Sequence, residues 1–246
     1  MPSRLTESQE AALYDAENIW AADDDFFLAF ANQRPNSRLL DLGCGTGRFS
    51  LAAAAAGHAV VGIDPHAPSL EAARRKPGAE HVTWVHGTSA QIPHGATFDV
   101  VVMTAHVAQA ISDDSEWSRT LADVYRALVP GGLMAFDSRD PGARAWEHWT
   151  REETLDLHVL PGGAIVETWI ECSPEIAGLV VLTEHRILAG DAHEPRISTL
   201  AFRSEEKLRA DLGEAGFSVE TTLGGWDGEG VGSAQGELIF VAHKPR

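Results

Sequence analysis

The stretch LLDLGCGTGRFS, from Leu39 to Ser50, decides how this chain is read. It sets Gly43, Gly45 and Gly47 at alternate positions between an apolar run and a helix-forming run. Glycine weakens a regular element by about 0.5–1 kcal/mol, because it has the most conformational freedom to lose. A cluster of three therefore suggests use: backbone angles other residues refuse, or a chain bare enough for a ligand to lie on it. Arg38–Leu42 reads as a short buried strand, and Gly47–Ala56 as an alanine-rich helix stopped by Gly57. The spacing excludes two common phosphate binders. A dinucleotide fingerprint is G-x-G-x-x-G, and a phosphate loop needs Gly-Lys-Ser/Thr; neither is present. Asp41, just before the glycines, would also repel an adjacent pyrophosphate.

Working outward, Ala59–Ile63 is a second strand, closed by Asp64-Pro65. Asp64 falls 17 positions after Gly47, where a carboxylate can accept hydrogen bonds from a ribose diol. Ser69–Arg75 reads as a helix, and Val82–Val85 and Phe98–Met103 as strands three and four. Trp117–Val129 carries a helical apolar stripe ended by Pro130-Gly131-Gly132, and Leu133–Asp137 is a fifth strand. Strands alternating with helices predict an α/β fold, a parallel sheet covered on both faces. The pattern changes after Asp140. Gly163–Glu171, Leu179–Leu188 and Arg196–Phe202 are strand-like with short turns, an antiparallel insert. Helix Ser204–Ala215 and strands Phe217–Leu223 and Glu237–His243 then resume the first pattern. We expect one domain over 1–246, with a helical cap over 1–34 and an antiparallel, substrate-side insert over 141–203. Thr6 to Ala31 forms the cap, with Asp23-Asp24-Asp25 as its break or cap.

Composition bounds the partners. The formal net charge of −17 repels phosphate backbones, which argues against nucleic acid. The same field draws cationic ligands or simply keeps the chain dissolved. Cys44 and Cys172 are the only cysteines, too few for a disulfide framework or a paired-cysteine zinc site. That usage suits a reducing cytoplasm. The first 20 residues have no apolar core of a leader, and no run approaches the ~20 apolar residues of a membrane span.

Taken together, LLDLGCGTGRFS, VVGIDPH, HGTSAQIP, FDVVVMTAHVAQAI and LVPGGLMAFDSRDP resemble the class I S-adenosylmethionine-dependent methyltransferases of small-molecule type. The resemblance covers Leu5 to Asp140 well and the terminal strands in outline. It implies a Rossmann-like, seven-stranded, mostly parallel sheet whose last strand is antiparallel. It also implies S-adenosyl-L-methionine as cofactor and methyl transfer to an O or N atom of a small-molecule acceptor. By that likeness Asp41 and Gly43 lie near the methionine amino group, and Cys44, Gly45 and Gly47 complete the loop. Asp64 takes the ribose and Pro65 neighbours the adenine. Thr88, Ser89 and Ala90 occupy the segment where the family usually carries an acid. Thr104, Ala105 and His106 line the methyl end, and Tyr14 resembles a capping aromatic.

Methyl transfer from a sulfonium needs alignment more than activation, so no nucleophilic triad or metal motif is required, and none stands out. His106 is the candidate base, or a positioning group. His158 and His185 lie in the insert. Trp146 and Trp149, near Arg139 and Arg144, form either an aromatic wall over the substrate or a packed amphipathic turn. Two other readings stand beside this one: a nicotinamide-dependent oxidoreductase, and a cofactor-binding protein without turnover.

Overall fold

A computed structural model describes residues 5–188 and 195–246. Parts of the two expected boundary regions, residues 1–4 and 189–194, lie outside the described residues. The glycine loop ends strand β1 (Arg38–Leu42), which opens the series β1, α3 (Arg48–Ala55), β2 (Ala59–Asp64), α4 (Ala67–Arg74) and β3 (Val82–His86). Two helices precede it, α1 (Glu7–Glu17) and α2 (Ala22–Ala31). Then come β4 (Phe98–Met103), α5 (Val107–Ala110), α6 (Asp114–Ala127) and β5 (Leu128–Arg139). The short helix α7 (Arg151–Thr154) leads into β6 (Asp156–Val159), β7 (Ile165–Cys172), β8 (Leu179–Leu188) and β9 (Arg196–Ala201). Helix α8 (Glu205–Glu214), β10 (Ser218–Leu223) and β11 (Glu237–His243) follow.

Seven strands form one sheet in the order β10-β11-β5-β4-β1-β2-β3. β1 pairs in parallel with β2 and β4, while β11 runs antiparallel to both β5 and β10. The central strands are apolar throughout because both faces are covered. Leu40, Val101, Met103 and Phe136 pack on Trp117 and Leu121 of α6 and Leu212 of α8. On the other face Leu39, Val100 and Val102 meet Phe27 of α2 and Phe49 of α3. A separate four-stranded antiparallel sheet, β6-β7-β8-β9, is inserted between β5 and α8.

Three local expectations change. Of the two readings of Asp23–Asp25, the cap holds and the break does not: the break is at 18–21, and the acids form the first turn of α2. There the Asp24 carboxylate accepts the Ala21 N–H at 3.0 Å, where a helix N-terminus favours negative charge. The helix before the fifth strand ends at Ala127, because Leu128 already pairs with Phe98. Pro130-Gly131-Gly132 makes an irregularity inside β5, held by Gly131 N–H on the Lys244 carbonyl at 2.7 Å. Finally, β6 is an unexpected fourth strand of the insert. Its Leu157 and Val159 are exposed, so it has no core pattern to read.

The strand order reverses between β1 and β4. Their carboxyl ends carry the loops Gly43–Gly47 and Thr104–His106, and a crevice opens where these loops diverge.

Candidate active site

The glycine loop is fixed by the neighbouring strand. Gly43 and Cys44 both donate their N–H to the Ile63 carbonyl, at 2.7 and 3.1 Å. The Asp64 carboxylate accepts the Gly45 N–H on Oδ2 (2.8 Å) and the His66 N–H on Oδ1 (2.7 Å). All three glycines have left-handed φ, +83°, +53° and +82°, which costs a side-chain-bearing residue roughly 1–2 kcal/mol. Their surroundings separate them. A Cβ on Gly43 would come 2.3 Å from Val107 Cγ2, and one on Gly47 2.5 Å from the Trp84 ring. A Cβ on Gly45 would meet nothing nearer than the Tyr14 hydroxyl at 3.8 Å. Gly45 therefore faces open space, while Gly43 and Gly47 let neighbouring side chains close in.

That space is a cleft of about 300 Å³ lined by Tyr14, Gly43, Gly45, Asp64, Val107 and Arg186, among others. Helix α1 is tied above the loop through Asp15, which accepts from Thr46 Oγ1 at 2.5 Å and pairs with Lys76 at 2.8 Å. Below the loop, Asp41 is fully buried. Its Oδ2 accepts the Ser50 hydroxyl at 2.6 Å, while Oδ1 has no partner. Burial, with little to offset it, raises the Asp41 carboxyl to about 7. These groups suit a ligand carrying a diol: a bare glycine beside the Asp64 carboxylate and, beneath the loop, an Asp41 carboxylate with one oxygen unpartnered.

Other expected residues fall elsewhere. Gly47 packs against Trp84 and Ala73, and Cys44 lies against Gly62 beneath the loop, where burial keeps it a thiol. His66 and Pro68, rather than Pro65, line the cleft. Thr88 and Ala90 are exposed, and the Ser89 hydroxyl donates to Asp123 of α6 at 3.0 Å. That segment is engaged with a helix, not with the cleft lining. Arg186 and Arg196 line the cleft without any mark in the sequence, since each arrives from a distant element, and Val107 joins them from just beyond the expected Thr104–His106 segment.

Thr104 is buried at the end of β4, and Ala105 and His106 follow in left-handed conformation (φ +54° and +61°). Such angles in residues with side chains cost on the order of 1–3 kcal/mol and persist where surroundings enforce them. Here Asp137 at the carboxyl end of β5 does so: its Oδ2 accepts the His106 N–H at 2.9 Å. The His106 ring nitrogen Nε2 lies 2.9 Å from Glu237 Oε2 and 3.3 Å from Asp137 Oδ2. Asp137 is fully buried, and burial pushes its carboxyl up to about 6 against the pull of His106. Its Oδ1 is unpartnered. Glu237 had no signal in the sequence; Asp137 had one, as an acid closing a buried strand in FDSRDP.

The remaining histidines and tryptophans are each engaged locally. His158 lies near Glu17 of α1, at 3.9 Å. His185 stacks on Trp169 with ring centroids 4.5 Å apart and pairs with Glu171 at 2.9 Å. Trp146 packs edge-on against Phe202 (4.6 Å), while Arg139 lies 5.2 Å over Trp149. Trp226 fills space against Phe26 and Phe27.

Residues 39–132 match a family described as a methyltransferase domain. The chain is 38% identical over 208 residues to the cypemycin N-terminal methyltransferase of a Streptomyces species, covering 84% of this chain and 82% of that protein. In fold it is similar to the CcbJ methyltransferase of Streptomyces caelestis (TM-score 0.78, 18% identity, 98% of each chain). It is also similar to S-adenosylmethionine-bound CalS10, an amino pentose methyltransferase of Micromonospora echinaspora (TM-score 0.70, 23% identity, 99% of each chain).

Proposed function

The chain belongs to the class I S-adenosylmethionine-dependent methyltransferases, and from that membership we propose that it methylates an amine nitrogen of a small-molecule acceptor, with a hydroxyl oxygen as the alternative. The nicotinamide-dependent reading falls with the family assignment. The preference for nitrogen is supported by the relative named as an N-terminal methyltransferase. Acidic surface charge, −17 over the chain, argues against a nucleic-acid acceptor. The two cysteines are free thiols, which suits the cytoplasmic location we assign. Among the described residues no helix is long and apolar enough to cross a membrane.

The observation that carries the reading is the bare face of Gly45 beside the Asp64 carboxylate. S-adenosylmethionine, when bound, supplies a methyl group already activated by its sulfonium charge. The protein's part is then binding and alignment. Gly43 and Gly45 give a surface without side chains. Asp64 retains lone pairs for ribose hydroxyls beside the two backbone N–H groups it holds. Asp41 offers negative charge beneath the loop, on the side of the amino group, Tyr14 covers the crevice from α1, and Val107, next to the Thr104–His106 turn, borders it from α5. Holding reactants at about 3–3.5 Å in line can itself be worth ~7–11 kcal/mol.

Calorimetry with S-adenosylhomocysteine tests this directly. Gly45→Arg should abolish binding without unfolding the protein, and Asp64→Ala should weaken it by about 1.5–3 kcal/mol, the range for hydrogen bonds to a charged group. Unchanged affinity in both would refute the crevice assignment. Release of S-adenosylhomocysteine across paired amine and hydroxyl acceptors then decides nitrogen against oxygen.

A further inference from the structure

The crevice wall opposite the glycine loop carries two arginines that the cradle around Gly45 and Asp64 leaves unused. Acids dominate the rest of the charged lining: Glu7 and Glu10 of α1, and Asp64. Arg186 of β8 and Arg196 of β9 are the only lysines or arginines among the described residues that line it. Arg48, next to the loop, is committed to Asp23 and Asp24, and Lys76 to Asp15. Strand register places the pair. Glu184 stands opposite Arg196 across β8 and β9, and Arg186 follows two residues later on β8, so all three share one sheet face. Thr168 stands opposite Arg186 on β7, and two residues before it Val166 packs on Leu13 of α1, so this face is turned to α1.

The two guanidiniums are poorly matched. Arg186 donates to Glu184 at 3.3 Å, the one hydrogen bond either side chain makes among the described residues. The same carboxylate is 3.9 Å from Arg196, and Glu17 is 3.9 Å from Arg186, both beyond hydrogen-bond reach. Burial raises the Glu17 carboxyl, which weakens it as a counter-ion. A guanidinium presents a planar fork of N–H donors that fits an oxyanion, and here most of two forks is unused. Like charges on one sheet face also repel unless an anion lies with them. Had these side chains only tied strands together, one well-made pair would serve better, since long exposed pairs contribute little.

We propose that Arg186 and Arg196 form a carboxylate site through which the insert takes hold of a ligand in the crevice. The proposal rests on the crevice reading above and adds a second wall to it. The carboxylate has two candidate sources, the amino-acid end of S-adenosylmethionine or an acidic group on the acceptor, and the same forks read both.

Calorimetry on the full chain separates the sources with two ligands. S-adenosylhomocysteine keeps the amino-acid end of the cofactor; methylthioadenosine keeps the nucleoside and sulfur without it. If the cofactor supplies the carboxylate, Arg186→Gln and Arg196→Gln should each weaken S-adenosylhomocysteine by about tenfold or more, with methylthioadenosine held within about twofold. If the acceptor supplies it, both ligands should bind the variants as they bind the parent. Nitrogen NMR of the arginine side chains should then show saturable shifts at Arg186 and Arg196 as succinate is titrated into protein filled with S-adenosylhomocysteine, and Arg196→Gln should remove them. Unchanged binding without a succinate response would overturn the proposal. So would an equal loss of both ligands, which would make the arginines props of the insert rather than a site. Arg196 is 54% exposed and Arg186 only 16%, so Arg196→Gln carries the test alone if Arg186→Gln does not fold. Failure of the unmodified protein to bind either nucleoside would sink the crevice reading as well. Normal binding with unresponsive variants sinks this proposal alone.

Discussion

At the scale of single residues, Asp41 carries a cost that the folded chain accepts. Its carboxyl rises from an ordinary 3.8 to about 7 on burial. Between those values the folded protein binds a proton that the unfolded chain does not. Stability from this group is therefore complete below about pH 4 and lost as pH rises through 7. Asp41→Asn should remove that dependence. Thermal melts should show the variant gaining on the parent as pH goes from 5 to 8, while its affinity for S-adenosylhomocysteine falls. Parallel melting curves across that range would contradict the assignment. The glycines divide in a similar way. Gly47→Ala should destabilise the fold more, because its methyl group meets the Trp84 ring on top of the left-handed φ, whereas Gly45→Ala carries the φ strain alone and should act on binding as well. Urea titration and calorimetry separate the two. The sequence marked all three glycines for one purpose. It could not distinguish them, because Trp84 and Val107 reach the loop from β3 and α5.

Among the elements, α5 is the least self-sufficient. Four residues make too short a helix to stand without tertiary support. Arg203, just after β9, supplies it by donating to the carbonyls of Ala108 (3.0 Å) and Ile111 (2.9 Å). The same guanidinium bonds Asp114 at the start of α6 and lies 5.3 Å over Trp117. Since His106 caps α5, Arg203 reaches the site through the helix. Arg203→Met should cost about 1–3 kcal/mol in urea unfolding, the penalty for leaving buried acceptors unmet, and should lower kcat more than it alters cofactor affinity. Equal stability would show that solvent replaces the guanidinium. The parallel strands were legible because burial on both faces leaves continuous apolar runs. α5 and β6 were not, since four residues carry no periodicity and their partners are remote in sequence.

Across the whole molecule, the crevice is assembled from both sheets. Arg186 of β8 and Arg196 of β9 line it opposite the glycine loop. Helix α1 joins the halves: Leu13 is buried with Leu160 and Val166 of the insert, while Asp15 is bound to Thr46 and Lys76 of the seven-stranded sheet's side. Hydrogen exchange should therefore slow in α1, β8 and β9, as well as in the loop, when S-adenosylhomocysteine is added. Protection confined to residues 41–47 would mean that the insert takes no part. Strand succession made the larger sheet readable in advance. The lean of the insert over the crevice was not, because it depends on contacts such as Leu13 with Val166, which no local pattern announces.

Each oxygen of Asp64 is already steadied by one backbone N–H before any ligand arrives, one from each flanking loop, and keeps a free lone pair turned to the opening. The receptacle is in that sense cast beforehand, and its ordering is settled when the chain folds rather than when it captures a guest. Free and occupied forms should then superimpose at Gly45 and His66, and capture should be limited by diffusion into the opening rather than by rearrangement of its floor.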